Sequence, residues 1–142
     1  MIELEKLQAI IDEVAPAALA DKYDPPFYWR KPGHKLQKIG VCVDPTAQNL
    51  QLAQKNGVDL LISHHPCPEG AEQFFSGQKM GVLILHSAWN RAPEGNTSTL
   101  ARLLNLIEPV QDGQFVTGRV EMSLRDLLFS CQRLLNTPLL PY

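Results

Sequence analysis

The sequence has no run of basic residues, no apolar stretch near the length of a membrane span, and no pair of cysteines spaced C-x-x-C. Each absence closes a class of function. Thirteen Lys and Arg stand against 15 Asp and Glu, a formal net charge of -2, so a nucleic-acid partner is not indicated. A bilayer-crossing helix needs about 18 or more consecutive apolar residues, and none is found, so no membrane contact is expected. The opening "MIELEKLQAI" is acidic where a secretory signal would be basic, and the expectation is a cytoplasmic protein. The three cysteines, Cys42, Cys67 and Cys131, are too scattered for a disulfide framework or a cysteine zinc knuckle and suit a reducing compartment. The sequon at Asn96–Ser98 has no meaning without secretion.

What the sequence does have is apolar patterning. With 142 residues, 44% of them hydrophobic, residues 1–142 are expected to form a single domain that buries its own core. Leu4, Leu7, Ile10, Ile11 and Val14 recur at helical spacing, and Pro16 marks the stop. The Pro-rich stretch "DKYDPPFYWRKPGHK" reads as irregular, with Phe27, Tyr28 and Trp29 either folded onto the core or forming a contact surface. "LQKIGVCVD" reads as a buried strand. Asp44-Pro45 then suits the start of a helix that stops at Asn56-Gly57. "VDLLIS" and "GVLILHS" are two further strands, and this order of elements predicts an α/β fold, a mostly parallel sheet flanked by helices. "NTSTLARLLNL" reads as a helix capped by Asn96 or Thr97 with Leu100, Leu103 and Leu104 inward. "GQFVTGRVE" reads as a strand, and "MSLRDLLFSCQRLL" as a helix capped by Ser123, with Asp126 answering and Met122 and Leu127 as a hydrophobic staple.

The chemistry gathers at strand ends. Asp44, the pair His64 and His65, and His86 follow three successive strands, and ligands of parallel α/β sheets bind at that rim. Neighbouring residues of a regular strand face opposite ways. Pro66 breaks the strand just after "SHH", so both imidazoles can turn to one centre. Imidazoles suit Zn, Fe, Ni or Cu, whereas the competing reading has the histidines bonding nearby carbonyls. Cys67 and Glu69 are lesser candidate ligands. His86 reads better as a supporting or core histidine, and Asp44 as a helix cap that could alternatively serve as a general base or as an acceptor behind a ligand.

The segments "APAALADKYD", "VDPTAQNLQLAQKNGVDLLISHHP", "LHSAWNRAPEGNTSTLARLLNL" and "TGRVEMSLRDLL" together resemble the Nif-three-like dinuclear-metal family (GTP cyclohydrolase I type 2 homologues), over about the first half of its usual length. The resemblance implies that His64 and His65 bind a divalent metal ion such as Zn, Fe or Mn. It places a further ligand at Asn90, where the family has an aspartate. It also implies a homo-oligomer, either a dimer or a ring-like hexamer, and a small-molecule substrate whose identity it leaves open. The family's His and Glu ligands one helical turn apart have no counterpart here, and "DPPFYW" replaces the family's usual Asn and Gly after the acidic residue Asp24.

Three readings of function follow. The first is a metal-binding protein with metal-dependent hydrolase-type activity. The second is a non-catalytic oligomeric or interaction protein that keeps the fold without the site. The third is an anion site at the helix start near Gly95 to Thr97.

Overall fold

The computed structural model describes residues 1–24, 27–30, 32–75 and 80–136. Its centre is a four-stranded sheet. Strands β4 (Ile39–Cys42), β5 (Leu60–Ser63) and β6 (Gly81–Ile84) lie parallel, and β2 (Phe27–Arg30) adds antiparallel to the β6 edge. A second, two-stranded pairing joins β1 (Ile2–Glu3) to β3 (Lys35–Leu36).

The parallel strands carry side chains alternately to two faces, and each face has its own apolar cluster. On one side Leu61, Val82 and Ile84 pack with Leu50 and Ala53 of helix α2 (Ala47–Lys55) and with Ala71 and Met80. On the other, Leu60 and Leu83 pack with Leu4 and Leu7 of helix α1 (Leu4–Val14) and with Leu36. This is why "LLIS" and "GVLI" read as unbroken apolar runs: both of their faces are covered.

Several helix ends are where the sequence placed them. Helix α1 ends before Pro16, and α2 ends at Asn56 with Gly57 at φ 63. The cap of α2, however, is Thr46, whose hydroxyl accepts from the Asn49 N–H at 3.2 Å. Asp44 is therefore not the helix cap, and its carboxylate is free for another role.

Other departures have local causes. The segment expected to be irregular holds β2, because its prolines lie outside the four residues that pair and a register shift between Tyr28 and Arg30 absorbs the misfit. A short helix α3 (Ser87–Arg91) follows β6 directly. Helix α4 (Asn96–Leu103) has Gly95 as its N-cap, not Asn96 or Thr97. A side chain at 95 would place its Cβ 1.8 Å from the Trp89 carbonyl oxygen, so only glycine fits. Ala101 is the buried residue of this helix, while Leu103 is exposed rather than inward.

The strand expected at 113–121 is β8 (Phe115–Arg119), and it pairs with β7 (Ile107–Asp112) in a hairpin of its own. Pro109 hides β7 in the sequence, and the structure places it in an irregularity between Ile107 and Val110, where a missing N–H does no harm. Helix α5 (Leu124–Leu135) begins as expected, with Ser123 accepting from the Asp126 N–H.

Candidate metal centre

The carboxyl ends of β5 and β6 bring three imidazoles together, with Asp44 beside them after β4. The ring centroids of His64 and His65 are 4.8 Å apart, those of His64 and His86 4.8 Å, and those of His65 and His86 5.4 Å. One ligating nitrogen from each lies within 4.8 Å of the others. The cluster could hold a metal ion, and all three side chains are half-buried.

The backbone explains how adjacent residues reach one centre. Beyond Ser63 the N–H of His64 donates to Cys42 O at 3.1 Å and the N–H of His65 donates to Val43 O at 2.9 Å. In a regular strand only alternate N–H groups face the same neighbour. Two in succession mean that the strand has bent, and the strict alternation of side chains is lost with it. Buried Ser63 secures the bend, its hydroxyl donating to the His65 carbonyl at 2.6 Å. The expected break before Pro66 is present.

Each imidazole is held from behind through Nδ1. His64 Nδ1 lies 3.1 Å from Leu85 O, His65 Nδ1 2.6 Å from Asp44 Oδ1, and His86 Nδ1 2.5 Å from Asp24 Oδ2. A carbonyl or a carboxylate can only accept, so each Nδ1 carries the hydrogen. In the neutral ring the Nε2 lone pair is then free. This three-fold arrangement is the support that metal-ligating histidines need: it fixes tautomer and ring orientation and raises ligand basicity. Burial pushes the His64 imidazole below its ordinary value, and the neighbouring His86 and His65 push the same way against the Leu85 carbonyl and Asp24.

Asp24 is the functional residue that sequence reasoning missed. It lies 62 residues before His86 and also accepts from the Ser87 N–H at 3.1 Å, while its backbone oxygen takes the Ser87 hydroxyl at 3.0 Å. Asp21 continues the anchorage, its N–H donating to Ser87 Oγ and its carboxylate pairing with Arg91 at 3.1 Å. The only signal in the sequence was an acidic residue in the early loop. His86, read there as supporting or core, stands in the cluster itself.

The remaining candidates lie elsewhere. Cys67 packs against the α2-side core, and Glu69 is exposed. Neither joins the cluster among the described residues. Burial pushes the Cys42 thiol up, which keeps it protonated and a poor ligand. Asn90 is one turn beyond His86 on α3, and its amide oxygen accepts from Asn96 at a long 3.4 Å. The fourth histidine, His34, pairs with Glu5. At the start of α4 the side chains are tied up locally, Ser98 with Ala92 O and Thr99 with Glu94 O. Arg102, the nearby cation, is already paired with Glu94 at 3.0 Å and is not left to receive an anion.

Over residues 2–139 the sequence matches the family described as Duf34/NIF3 (NGG1p interacting factor 3). The chain belongs to this family. A curated relative, the GTP cyclohydrolase 1 type 2 homolog of Methanocaldococcus jannaschii, is 33% identical over 86 residues, 53% of this chain and 35% of that protein. Reduced HcgD from Methanocaldococcus jannaschii superposes with a TM-score of 0.84 at 21% identity, covering 93% of this chain and 60% of that one. Protein ybgI gives 0.77 at 20% identity, with 95% and 61% covered. TTHA1606 from Thermus thermophilus gives 0.76 at 19%, with 94% and 61% covered. These structures share the fold, and this DUF34/NIF3 chain spans about three fifths of their length. No helix among its described residues is long and apolar enough to cross a membrane.

Proposed function

We propose that the chain binds one divalent metal ion through His64, His65 and His86 and uses it in hydrolase-type chemistry on a small molecule. The observation that carries this reading is the engagement of all three Nδ1 atoms, two of them by carboxylates. Histidines gathered by chance have no reason to share one tautomer. Three imidazoles are a recurrent ligand set for a catalytic ion with an open position. Nitrogens spread over as much as 4.8 Å would draw in by roughly 1.5 Å to hold one ion at about 2.1 Å.

One ion suits the cluster better than two. Two cations at close range need a bridging carboxylate to offset their repulsion, and the cluster among the described residues consists of imidazoles alone, with Asp24 and Asp44 turned to the Nδ1 sides. Asn90 would add at most a neutral amide oxygen at the rim. Zn, Fe and Mn all remain compatible, imidazole favouring Zn and Fe.

What a divalent ion supplies when bound is Lewis acidity toward a polar bond of the substrate. The chain's own residues do the rest: Asp24 and Asp44 accept from the Nδ1 atoms of His86 and His65 and so orient two of the ligands. The GTP cyclohydrolase name of the curated relative is no more than a direction for substrates. A homo-oligomer, implied by the family resemblance, and a cytoplasmic location, expected from the sequence's composition, remain parts of this proposal.

The test is metal content per chain, measured by elemental analysis on protein purified without tag or chelator, with the double variant His64→Ala/His65→Ala beside it. Near-stoichiometric metal that vanishes in a folded variant is expected. A folded wild type unable to take up added Zn, Mn or Fe would refute the proposal and leave a non-catalytic family member.

A further inference from the structure

A cavity of about 480 Å³ opens on the α1 side of the sheet, directly against His64. Its walls include Ile11 and Val14 of α1, Val41 and Val43 at the β4 edge, Ile62 of β5 and Leu85 after β6, together with Trp89. We infer that this cavity is a pocket for the body of a small, neutral, largely apolar ligand, an aromatic or branched aliphatic group, whose polar head meets the histidine cluster. The role of the head rests on the metal reading above; the character of the body does not.

Size, position and charge all support the assignment. The volume falls within the ~300–1,000 Å³ of small-molecule sites. His64 is shared: its ring lines the cavity and also faces His65 and His86. A group lodged here is therefore next to the proposed centre. The apolar rim is left in water by the fold, with Val41 78% exposed, Val43 59% and Val14 44%, and covering such surface is favourable at about 25 cal/mol per Å².

Apart from the His64 ring, the wall's hydroxyl and indole N–H are already engaged. Ser63 donates to the His65 carbonyl, and Trp89 Nε1 donates to Asn96 Oδ1 at 3.0 Å. None of the described lining residues is Lys or Arg. A polyphosphate buried in this wall would lose its hydration with no Lys or Arg side chain to receive it, a cost of several kcal/mol per unpaired charge. The pocket therefore selects against the triphosphate of a nucleotide and for an uncharged body.

The experiment uses three probes on wild type and on Val41→Asp, a change at an exposed position whose fold is checked by circular dichroism. In metal-free protein the neutral fluorophore N-phenyl-1-naphthylamine should saturate one site per chain, and Val41→Asp should weaken it about tenfold. GTP should not displace it. In zinc-loaded protein 2-naphthohydroxamate should bind at least about tenfold tighter than acetohydroxamate, because the two share a metal-binding head and differ in the body the pocket covers. The gap should shrink in Val41→Asp.

Absence of saturable fluorophore binding, or displacement by GTP, would overturn the inference. So would equal affinity of the two hydroxamates in protein shown to hold zinc. A wild-type oligomer that Val41→Asp dissociates would give the surface to a second copy of the chain and also overturn it. If the protein takes up no metal the hydrolase reading fails alone, and the metal-free fluorophore titration still decides the pocket.

Discussion

Asp24→Asn tests whether the histidines are arranged for a metal or only packed together. Of the two carboxylate–imidazole pairs, His86 with Asp24 is the more enclosed, at 32% and 28% side-chain exposure against 44% and 61% for His65 with Asp44. Solvent screens it less, so its loss should be the larger. An amide at 24 can still accept through oxygen, but it brings no charge. If it turns its NH2 to Nδ1, the ring proton moves to Nε2 and the ligand lone pair is lost. Replacing such a supporting partner costs about 10–100-fold in metal affinity, or about 1.4–2.7 kcal/mol. The assay is zinc competition against a chromogenic chelator for wild type, Asp24→Asn, His86→Ala and the double variant. With His86 gone, Asp24→Asn should have little further effect on affinity, giving a coupling close to its whole single-variant effect. Unchanged affinity in Asp24→Asn, or an equal loss in both backgrounds, would refute the orienting role.

Two further changes probe the frame around the site. Ser63→Ala leaves the His65 carbonyl without its 2.6 Å donor in a buried position; urea unfolding should show a loss of about 1–3 kcal/mol, with zinc affinity falling as the bend loosens. Asp59 accepts from the Gln37 and Lys38 N–H groups at 2.7 and 2.9 Å, and these bonds hold its carboxyl below the ordinary value of 3.8. A depressed carboxyl favours the folded state above that ordinary value and stops doing so as pH falls through the lower folded value. Wild type should therefore exceed Asp59→Asn in stability at neutral pH, and the gap should close in strong acid. A gap that is constant from pH 7 to pH 2 would count against this account.

The parallel layer was legible because its signals are local. Both strands buried on two faces are short apolar runs, α2 is closed by Asn56-Gly57, and Ser123 with Asp126 marks the start of α5. The strands β2 and β7 were not, since prolines near one and within the other argue against a ladder, and only the paired partner reveals that the rule is met at a bulge. Leu103 looked inward on helical spacing alone, yet which face of α4 is covered depends on what packs there. By itself the sequence determined the family, the central sheet and the placement of His64 and His65 at a strand end broken before Pro66. Only the tertiary structure decided that His86 joins them, that Asp24 and Asp44 hold two of the rings, and that an apolar cavity adjoins the site. The reason is reach: Asp24 and His86 are 62 residues apart, and Asp44 and His65 are 21 apart on neighbouring strands. Such pairs leave no periodicity in the chain, because their meeting is set by strand order and by the bend after Ser63.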